Sequence, residues 1–374
     1  PLRLVGSEMC IRDSFIAGLT LFLRSIMLFD LYDIPFEAQA VYLLFGGVLG
    51  VLFGALALLT RFCLRQAVTG ESAQGMAAKS VWATAFIAAV LGNLALEYAG
   101  FIELSEHRLF APNLPILALF LGGGLFGIGM VLTRGCVSRA TILLGTGNLR
   151  SLFVLLIFAI TAHATLKGVL APLRVLIGAI QIDLSVTSLG DLPGGPIFWA
   201  LMLCGAATFW LISNFPSKSV FVAAIGLGLL VPIGWAGTSV LLNDPFDPLP
   251  AQSFAFTLPW SELLFWAIAS SAITAGFGPG MVAGVLLGSF FTAGVTGQIK
   301  LRGFDKTSDM PRYLLGSVLM GFGGVLAGGC SVGAGLSGAS NLSIAALLAL
   351  AAMIFGARVT AKLLERTPGL PAIA

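Results

Sequence analysis

Long apolar runs, each close to 20 residues, follow one another along most of this 374-residue chain. About 20 apolar residues suffice for a helix to cross a bilayer, so these runs predict membrane spans. We expect spans at residues 40–60, 81–100, 114–133, 151–172, 197–215, 219–241, 260–298, 313–329 and 341–360. Residues 14–29 are shorter and include Arg24, which favours a helix lying in the membrane interface.

The loops between these runs alternate in charge, and the alternation predicts the direction of each crossing. Lys and Arg concentrate in the cytoplasmic loops of membrane proteins. Loops with an acidic excess, at 30–37, 101–113, 176–196 and 243–250, are expected outside. The basic residues expected inside are Arg61, Arg65, Lys79, Arg134, Arg139, Arg150, Lys218, Lys300, Arg302, Lys306, Arg312, Arg358, Lys362 and Arg366. This pattern predicts nine net crossings, an external N-terminal start and a cytoplasmic C-terminus.

The run at 260–298 is long enough for two helices, yet the charges alternate only if it makes one net crossing. The sequence AGFGPGMVAG, residues 275–284, interrupts it. Broken helices at membrane depth are tolerated where they line a cavity enclosed by protein. We therefore expect either one span with a segment that dips in and returns, or two half-helices.

Composition supports the same fold class. The chain is 57% hydrophobic and 10% charged, with a mean hydropathy of +0.99, whereas soluble domains have about 25% charged residues. We predict an all-α integral membrane protein that works in the lipid bilayer. A net charge of +3 is too small to suggest a nucleic-acid partner, and two histidines beside five cysteines argue against a histidine-rich metal site. No cofactor is expected.

The first residues stand apart from the apolar sequence that follows. LVGSEMCIRDS, residues 4–14, resembles translated read-through of a sequencing adapter. We treat residues 1–13 as an artefact and discount Cys10. Residues 14–37 are then an interfacial N-terminal segment, residues 38–365 a single transmembrane transport domain, and residues 366–374 a cytoplasmic tail.

A glycine-rich motif that ends in cysteine occurs twice. GIGMVLTRGC, ending at Cys136, returns as GFGGVLAGGC, ending at Cys330, and each copy reaches Asn-Leu eleven or twelve residues later. The predicted spans before the two cysteines run in opposite directions, so the copies are inverted, as in many secondary transporters. We predict two inverted halves, at about 38–172 and 219–365.

Two weaker copies extend the repeat. GALALLTRFC ends at Cys63, and its TRFC echoes the TRGC that ends at Cys136. In GPGMVAGVLLGS, residues 278–289, Ser289 would take the place of the cysteine.

Each of the two clear copies continues into a segment too short to span, 136–146 and 330–340. We expect a short re-entrant helix there, because its N-terminal N–H groups would favour an anion beside the thiol. Asn148 and Asn341 are expected to cap the helices that follow. Cys204 fits an inert buried cysteine.

The polar residues around the motifs allow two interpretations. Arg61, Arg134 and Arg139 fit either cytoplasmic anchors or groups that attract an anion. Further candidates for contact with a substrate are Ser138, Asn148, Asn341 and Ser289.

The elements TRFC, GMVLTRGCVSRATILLGTGNLRS and GGVLAGGCSVGAG resemble those of the YeeE/YedE family of membrane proteins, from about residue 38 to 365. The resemblance implies thiosulfate uptake across the bacterial inner membrane as a source of sulfur for cysteine synthesis, so the external N-terminus would be periplasmic. It implies an hourglass-shaped helical protein with a path lined by Cys63, Cys136 and Cys330, and a TusA-like sulfur-carrier protein as a cytoplasmic partner.

The chemistry of thiols is compatible with that implication. A neutral thiol is a weak hydrogen-bond donor, so several in series could pass a small dianion along without holding it tightly. Two alternatives stay open for the function: a membrane thiol–disulfide or sulfur-transfer enzyme, and a transporter of a soft metal or of a selenium compound.

Overall fold

The computed structural model describes residues 38–366 apart from 103, 105, 106, 184, 185, 213, 243–248 and 305. The segments predicted as an artefact and as an interfacial helix, and residues 367–374 of the predicted tail, lie outside the described residues. The described α-helices are α1 (Ala38–Leu59), α2 (Leu64–Thr69), α3 (Ala73–Tyr98), α4 (Ile116–Leu132), α5 (Val137–Gly145), α6 (Leu149–Lys167), α7 (Ala171–Gly178), α8 (Gly195–Ile212), α9 (Lys218–Ala236), α10 (Thr257–Ile268), α11 (Phe277–Val295), α12 (Met310–Leu326) and α13 (Ile344–Glu365).

Shorter elements fill several of the connections. Two π-helical segments occur at Gly237–Leu241 and Gly333–Gly338. The 3₁₀ turns are Arg108–Phe110, Leu189–Asp191, Thr307–Asp309 and Ala339–Asn341. Strands β1 (Asn113–Leu114) and β2 (Ile182–Asp183) pair antiparallel and join two loops.

Eight segments of the described chain are long and apolar enough to cross a membrane. They correspond to eight of the predicted spans, so the all-α membrane fold is confirmed. The ninth prediction, 313–329, corresponds to α12, which has 17 residues. At 1.5 Å per residue α12 is about 25 Å long, the short end of what a bilayer requires.

Two details of the helices differ from the prediction. The break in 260–298 lies at residues 269–276 and shares only Ala275 and Gly276 with the predicted interruption at 275–284. The rest of that stretch is helical, because Pro279 falls in the first turn of α11, where proline is tolerated. The 330–340 segment is not a regular α-helix: it is π-helical and then 3₁₀. The matching segment after Cys136 is the short helix α5, as expected.

Glycines set the closest helix contacts. Gly46, Gly50 and Gly54 of α1 face the backbone of α11 at Phe277, Met281 and Val285 in turn, so the two helices run parallel. A Cβ on any of these glycines would overlap a backbone atom of α11. Only glycine therefore permits this approach, as in membrane helix pairs generally.

Helix α4 packs against two partners that run in opposite directions. Gly122 meets Ala327 at the end of α12, while Gly129 meets Gly316 near its start, so α4 and α12 are antiparallel. Gly127 lies against Met353 of α13, which runs parallel to α4. The helices that lead into Cys136 and Cys330 thus cross in opposite directions and contact each other directly.

Candidate functional site

The three motif cysteines follow the same backbone turn. The residue two positions before each has a left-handed conformation: Arg61 has φ 52°, Arg134 has φ 58° and Gly328 has φ 71°. In the first two turns the next N–H bonds back to the carbonyl five residues earlier, Phe62 to Ala57 and Gly135 to Met130. This is the Schellman closure of a helix. Cys63 therefore belongs structurally with Cys136 and Cys330.

Arginine at two of these positions has a conformational cost. A left-handed conformation is strained for a residue with a Cβ, by about 1–3 kcal/mol, and glycine avoids that strain. Gly328 fills the position in the third turn, and nothing lies within 4 Å of where its Cβ would be. Because glycine suits the backbone, the arginines at 61 and 134 point to a use for their side chains.

All three thiols are buried. Their exposed fractions are 4% for Cys63, 1% for Cys136 and 0% for Cys330. Cys63 and Cys136 are the N-cap residues of α2 and α5, while Cys330 precedes the π-helix Gly333–Gly338. Short π-helical segments are rare and often occur at functional sites.

Each thiol has its own polar neighbour. Cys136 Sγ lies 3.2 Å from the hydroxyl of Ser138. Cys330 Sγ accepts a hydrogen bond of 3.4 Å from the N–H of Gly333. The Ser331 hydroxyl beside Cys330 is buried and has no hydrogen-bond partner among the described residues. These groups could contact an anion together with the thiols.

Cys136 is near both of the other motif cysteines: a charge on its sulfur would act on Cys63 and on Cys330. Arg139 and Arg65 also act on Cys63. The four cysteines of the described chain, Cys204 included, are free thiols.

A basic cavity of about 560 Å³ opens at one membrane face, which we call the basic face. The ends of α1 and α11 and the loop after α5 meet there. Its polar and charged lining is Thr60, Arg61, Gln66, Gln74, Arg139, Thr146, Asn148, Gln298, Lys300 and Arg302. Four cations and no carboxylate among the described lining residues make this cavity attractive to anions.

A second cavity, of about 760 Å³, opens at the opposite face. Polar residues that line it include His107, Arg108, Ser239, Gln252 and Ser253, and it extends to Gly328 and Gly333 on either side of Cys330. Burial, with a smaller contribution from the charge of Arg108, lowers the pKa of His107 to about 4. His107 is therefore neutral at physiological pH. His107 is partly buried, with its ring edge-on to Trp235.

Aromatic side chains pack beside the thiols. Phe53 stacks on Phe254 with ring centroids 4.9 Å apart, and it also contacts Phe62 and Phe256. All four rings are at most 1% exposed. No cysteine is among the described lining residues of either cavity. The thiols are therefore buried between these two cavities, beside a cluster of aromatic rings.

Two predicted site residues do not have the local structure that was expected of them. Ser289 is inside α11, where its hydroxyl donates to Leu286, so it does not occupy a turn equivalent to Cys136. Asn341 does not cap the following helix: Ser343 does, because its hydroxyl accepts from Ala346, while Asn341 donates to Ser337. Asn148 does cap α6, by accepting from the N–H of Arg150.

Sequence reasoning missed several residues near the thiols. Arg65 was interpreted only through its charge in a loop, but it is 9% exposed and lies two residues after Cys63. Ser331 and the four phenylalanines were also missed, because nothing in their local sequence separates them from ordinary core residues.

The sulphur transport family matches residues 59–359 of the chain. That range includes all three cysteine turns. The chain belongs to this family. The resemblance to YeeE/YedE proteins is thereby confirmed, and the protein is a membrane transporter.

Two curated relatives resemble the chain at modest identity. The thiosulfate transporter TsuA of Spirochaeta thermophila is 28% identical over 285 residues, which cover 71% of this chain and 83% of the relative. The thiosulfate transporter TsuA of Escherichia coli strain K12 is 24% identical over 344 residues, which cover 84% of this chain and 92% of the relative.

Proposed function

We propose that this protein takes up thiosulfate, or a closely related small sulfur oxyanion, through Cys330, Cys136 and Cys63 in that order. The observation that carries the proposal is the turn shared by the three buried thiols, placed between cavities at opposite faces. The names of both relatives support thiosulfate as the substrate.

The proposed orientation in the membrane follows from the charges. Lys300, Arg302 and Arg61 gather at the basic face, and positive loops lie in the cytoplasm. We therefore propose that the basic face is cytoplasmic and that the cavity beside Cys330 is periplasmic. The proposal includes a cytoplasmic C-terminus and a location in the bacterial inner membrane.

The thiols act as hydrogen-bond donors in this mechanism. A dianion that enters an apolar layer loses its hydration and needs donors to replace it. Neutral thiols and the hydroxyls of Ser138 and Ser331 donate weakly, so each step binds the anion and releases it. Because Cys136 is near both other thiols, we assign it as the transfer point between the two halves of the path.

The remaining polar residues have supporting roles. Arg134 and Arg139 attract the anion toward the basic face, and Asn148 keeps α6 in place beside that cavity. A TusA-like sulfur carrier that collects the product in the cytoplasm would meet the cations of the basic face. Asn341 and Ser289 act through packing alone.

Uptake of radiolabelled thiosulfate into proteoliposomes tests the proposal. Cys136→Ala and Cys330→Ala are each expected to lower uptake at least tenfold, because a hydrogen-bond donor is lost in an apolar layer. Cys→Ser variants should retain part of the activity. Cys204→Ala is the matched control, since Cys204 is also buried but lies in a separate cluster from the motif cysteines.

The same assay separates the alternatives. Normal uptake by both alanine variants at wild-type protein levels would contradict the thiol path. A stable Cys136–Cys330 disulfide in the resting protein would favour a thiol–disulfide enzyme. Stronger competition by selenium oxyanions than by sulfur oxyanions would indicate that the substrate is a selenium oxyanion.

A further inference from the structure

Three arginines gather behind the thiols on the side of the basic face. Arg312, in the first turn of α12, donates from Nη2 to the carbonyl of Val131 at 3.5 Å, three residues before Arg134. The charges of Arg134 and Arg65 both act on Arg312. The three come from separate elements, α2, the turn after α4 and α12, so the fold brings like charges together. Asp309 attracts Arg312 in part. Like-charged groups so arranged repel one another unless an anion lies among them.

Their guanidinium groups keep buried N–H donors without partners. Nε and Nη1 of Arg65, Nε of Arg134 and Nε of Arg312 are buried and have no hydrogen-bond partner within the described part of the chain. Arg65 is 9% exposed. Buried polar groups are nearly always hydrogen-bonded, and an unpaired buried cation is costlier still.

Arg65 has a specific place in the repeated turn. In the second turn the residue two positions after the cysteine is Ser138, whose hydroxyl reaches Cys136 Sγ. In the first turn that position belongs to Arg65, which acts electrostatically on Cys63. A planar guanidinium here offers several donors in a fixed geometry that matches an oxyanion.

We infer that Arg65, Arg134 and Arg312 form a binding site for a small divalent oxyanion on the basic-face side of Cys63 and Cys136. The inference rests on the proposed function in one respect, that the anion reaching this site has come from the thiols. The arginines hold the dianion more firmly than thiols do, and the open cavity next to Arg61 and Arg139 receives it on release. The phosphate of a lipid headgroup has the same tetrahedral oxyanion chemistry.

Equilibrium binding of sulfate and thiosulfate to the purified full chain tests the site. The protein is placed in nanodiscs of phosphatidylcholine alone, at constant ionic strength with chloride as the balancing anion. Both probes are expected to bind saturably. Arg65→Gln and Arg312→Gln should each raise the dissociation constant at least tenfold, and Arg65→Lys should raise it less. Arg358→Gln, an exposed arginine of α13, is the matched control and should bind as the wild type does.

Affinities within twofold of wild type in both glutamine variants would overturn the inference. If Arg65→Gln does not fold, Arg312→Gln and Arg65→Lys decide the matter, because Arg312 is only partly buried and lysine keeps the charge. A second arm uses nanodiscs that contain phosphatidylglycerol. If no probe binds in phosphatidylcholine, while phosphatidylglycerol copurifies with wild type and is lost from Arg65→Gln, the cluster holds a lipid and not a free anion.

The binding assay and the uptake assay can contradict their two proposals independently. Normal transport by the cysteine variants would contradict the thiol path, yet sulfate binding at the arginines would still be measurable. Glutamine variants that bind normally while Cys136→Ala abolishes uptake would leave the thiol path intact and remove the arginine site.

Discussion

The turns before Cys136 and Cys330 share a backbone but differ in side chains. Both close a helix with a left-handed residue, which is Arg134 in one turn and Gly328 in the other. Arg134 adds a cation near the basic face, whereas Gly328 leaves the opposite turn uncharged. The two helices pack directly and antiparallel, so the difference becomes an asymmetry across the membrane.

That asymmetry gives the proposed path two unequal ends. At the uncharged turn, backbone N–H and thiol groups would take up a dianion without trapping it. At the charged turn, guanidinium groups would lower the free energy of the anion near the basic face. In this proposal the repeat supplies the geometry, and the exchange of glycine for arginine makes binding tighter at the basic face.

Arg134→Gly removes the asymmetry and is expected to have the largest effect. Uptake should fall by about 10- to 100-fold, because a charge-assisted hydrogen bond is worth about 1.5–3 kcal/mol. Stability should not fall, since glycine relieves the left-handed strain. Uptake in proteoliposomes and thermal unfolding measured together check both statements. A variant that unfolds earlier and transports normally would show that Arg134 is an anchor.

Gly328→Arg removes the asymmetry in the opposite way, by placing a cation at both turns. A guanidinium near Cys330 should bind the anion more tightly and release it more slowly, so we expect KM and the maximal rate of uptake both to fall several-fold. Gly328→Ala is the control: it adds strain of about 1 kcal/mol without charge. If the alanine and arginine variants have the same KM, charge at this turn is irrelevant.

Much of the fold follows from the sequence because its signals are local. Apolar length gives the spans, and the recurrence of Gly-Cys gives the paired turns. The left-handed arginines could not be predicted, since T-R-x-C alone does not fix φ at Arg61 or Arg134. The π-helix after Cys330 was missed for a similar reason: its register depends on packing against α13 and α9.

Arg65 shows the limit for the site. In the sequence, an arginine in a basic loop that becomes buried cannot be distinguished from one that faces solvent as an anchor. Only the packing of α2 against α3 and α13 buries its side chain and brings it near Arg312. Ser289 shows the converse, because a glycine spacing typical of the repeat instead serves the contact between α1 and α11.

Ser138→Ala sharpens the comparison at the level of the thiols. The Cys136 thiol loses the hydroxyl 3.2 Å away, while the thiol itself remains. A neutral hydrogen bond contributes about 0.5–1.5 kcal/mol, so uptake should fall by about two- to tenfold. Ser331→Ala is the counterpart beside Cys330. If neither serine affects KM or the uptake rate, the thiols act without help from the neighbouring hydroxyls.

The smallest effect on uptake concerns pH at the cavity beside Cys330. The pKa of His107, about 4, is below its ordinary value of 6.5, so His107 stays neutral in the folded protein from pH 8 down to about 5. Over that range, uptake by His107→Gln should therefore depend on pH in the same way as uptake by the wild type.

The stability of the folded protein should behave differently. Below pH 6.5 the unfolded chain gains a proton at this histidine that the folded protein does not, so stability declines as pH falls from 6.5 toward 4. Thermal unfolding across that window should show a smaller decline in His107→Gln, and an equal decline in both proteins would mean that the loop carrying His107 is open to water.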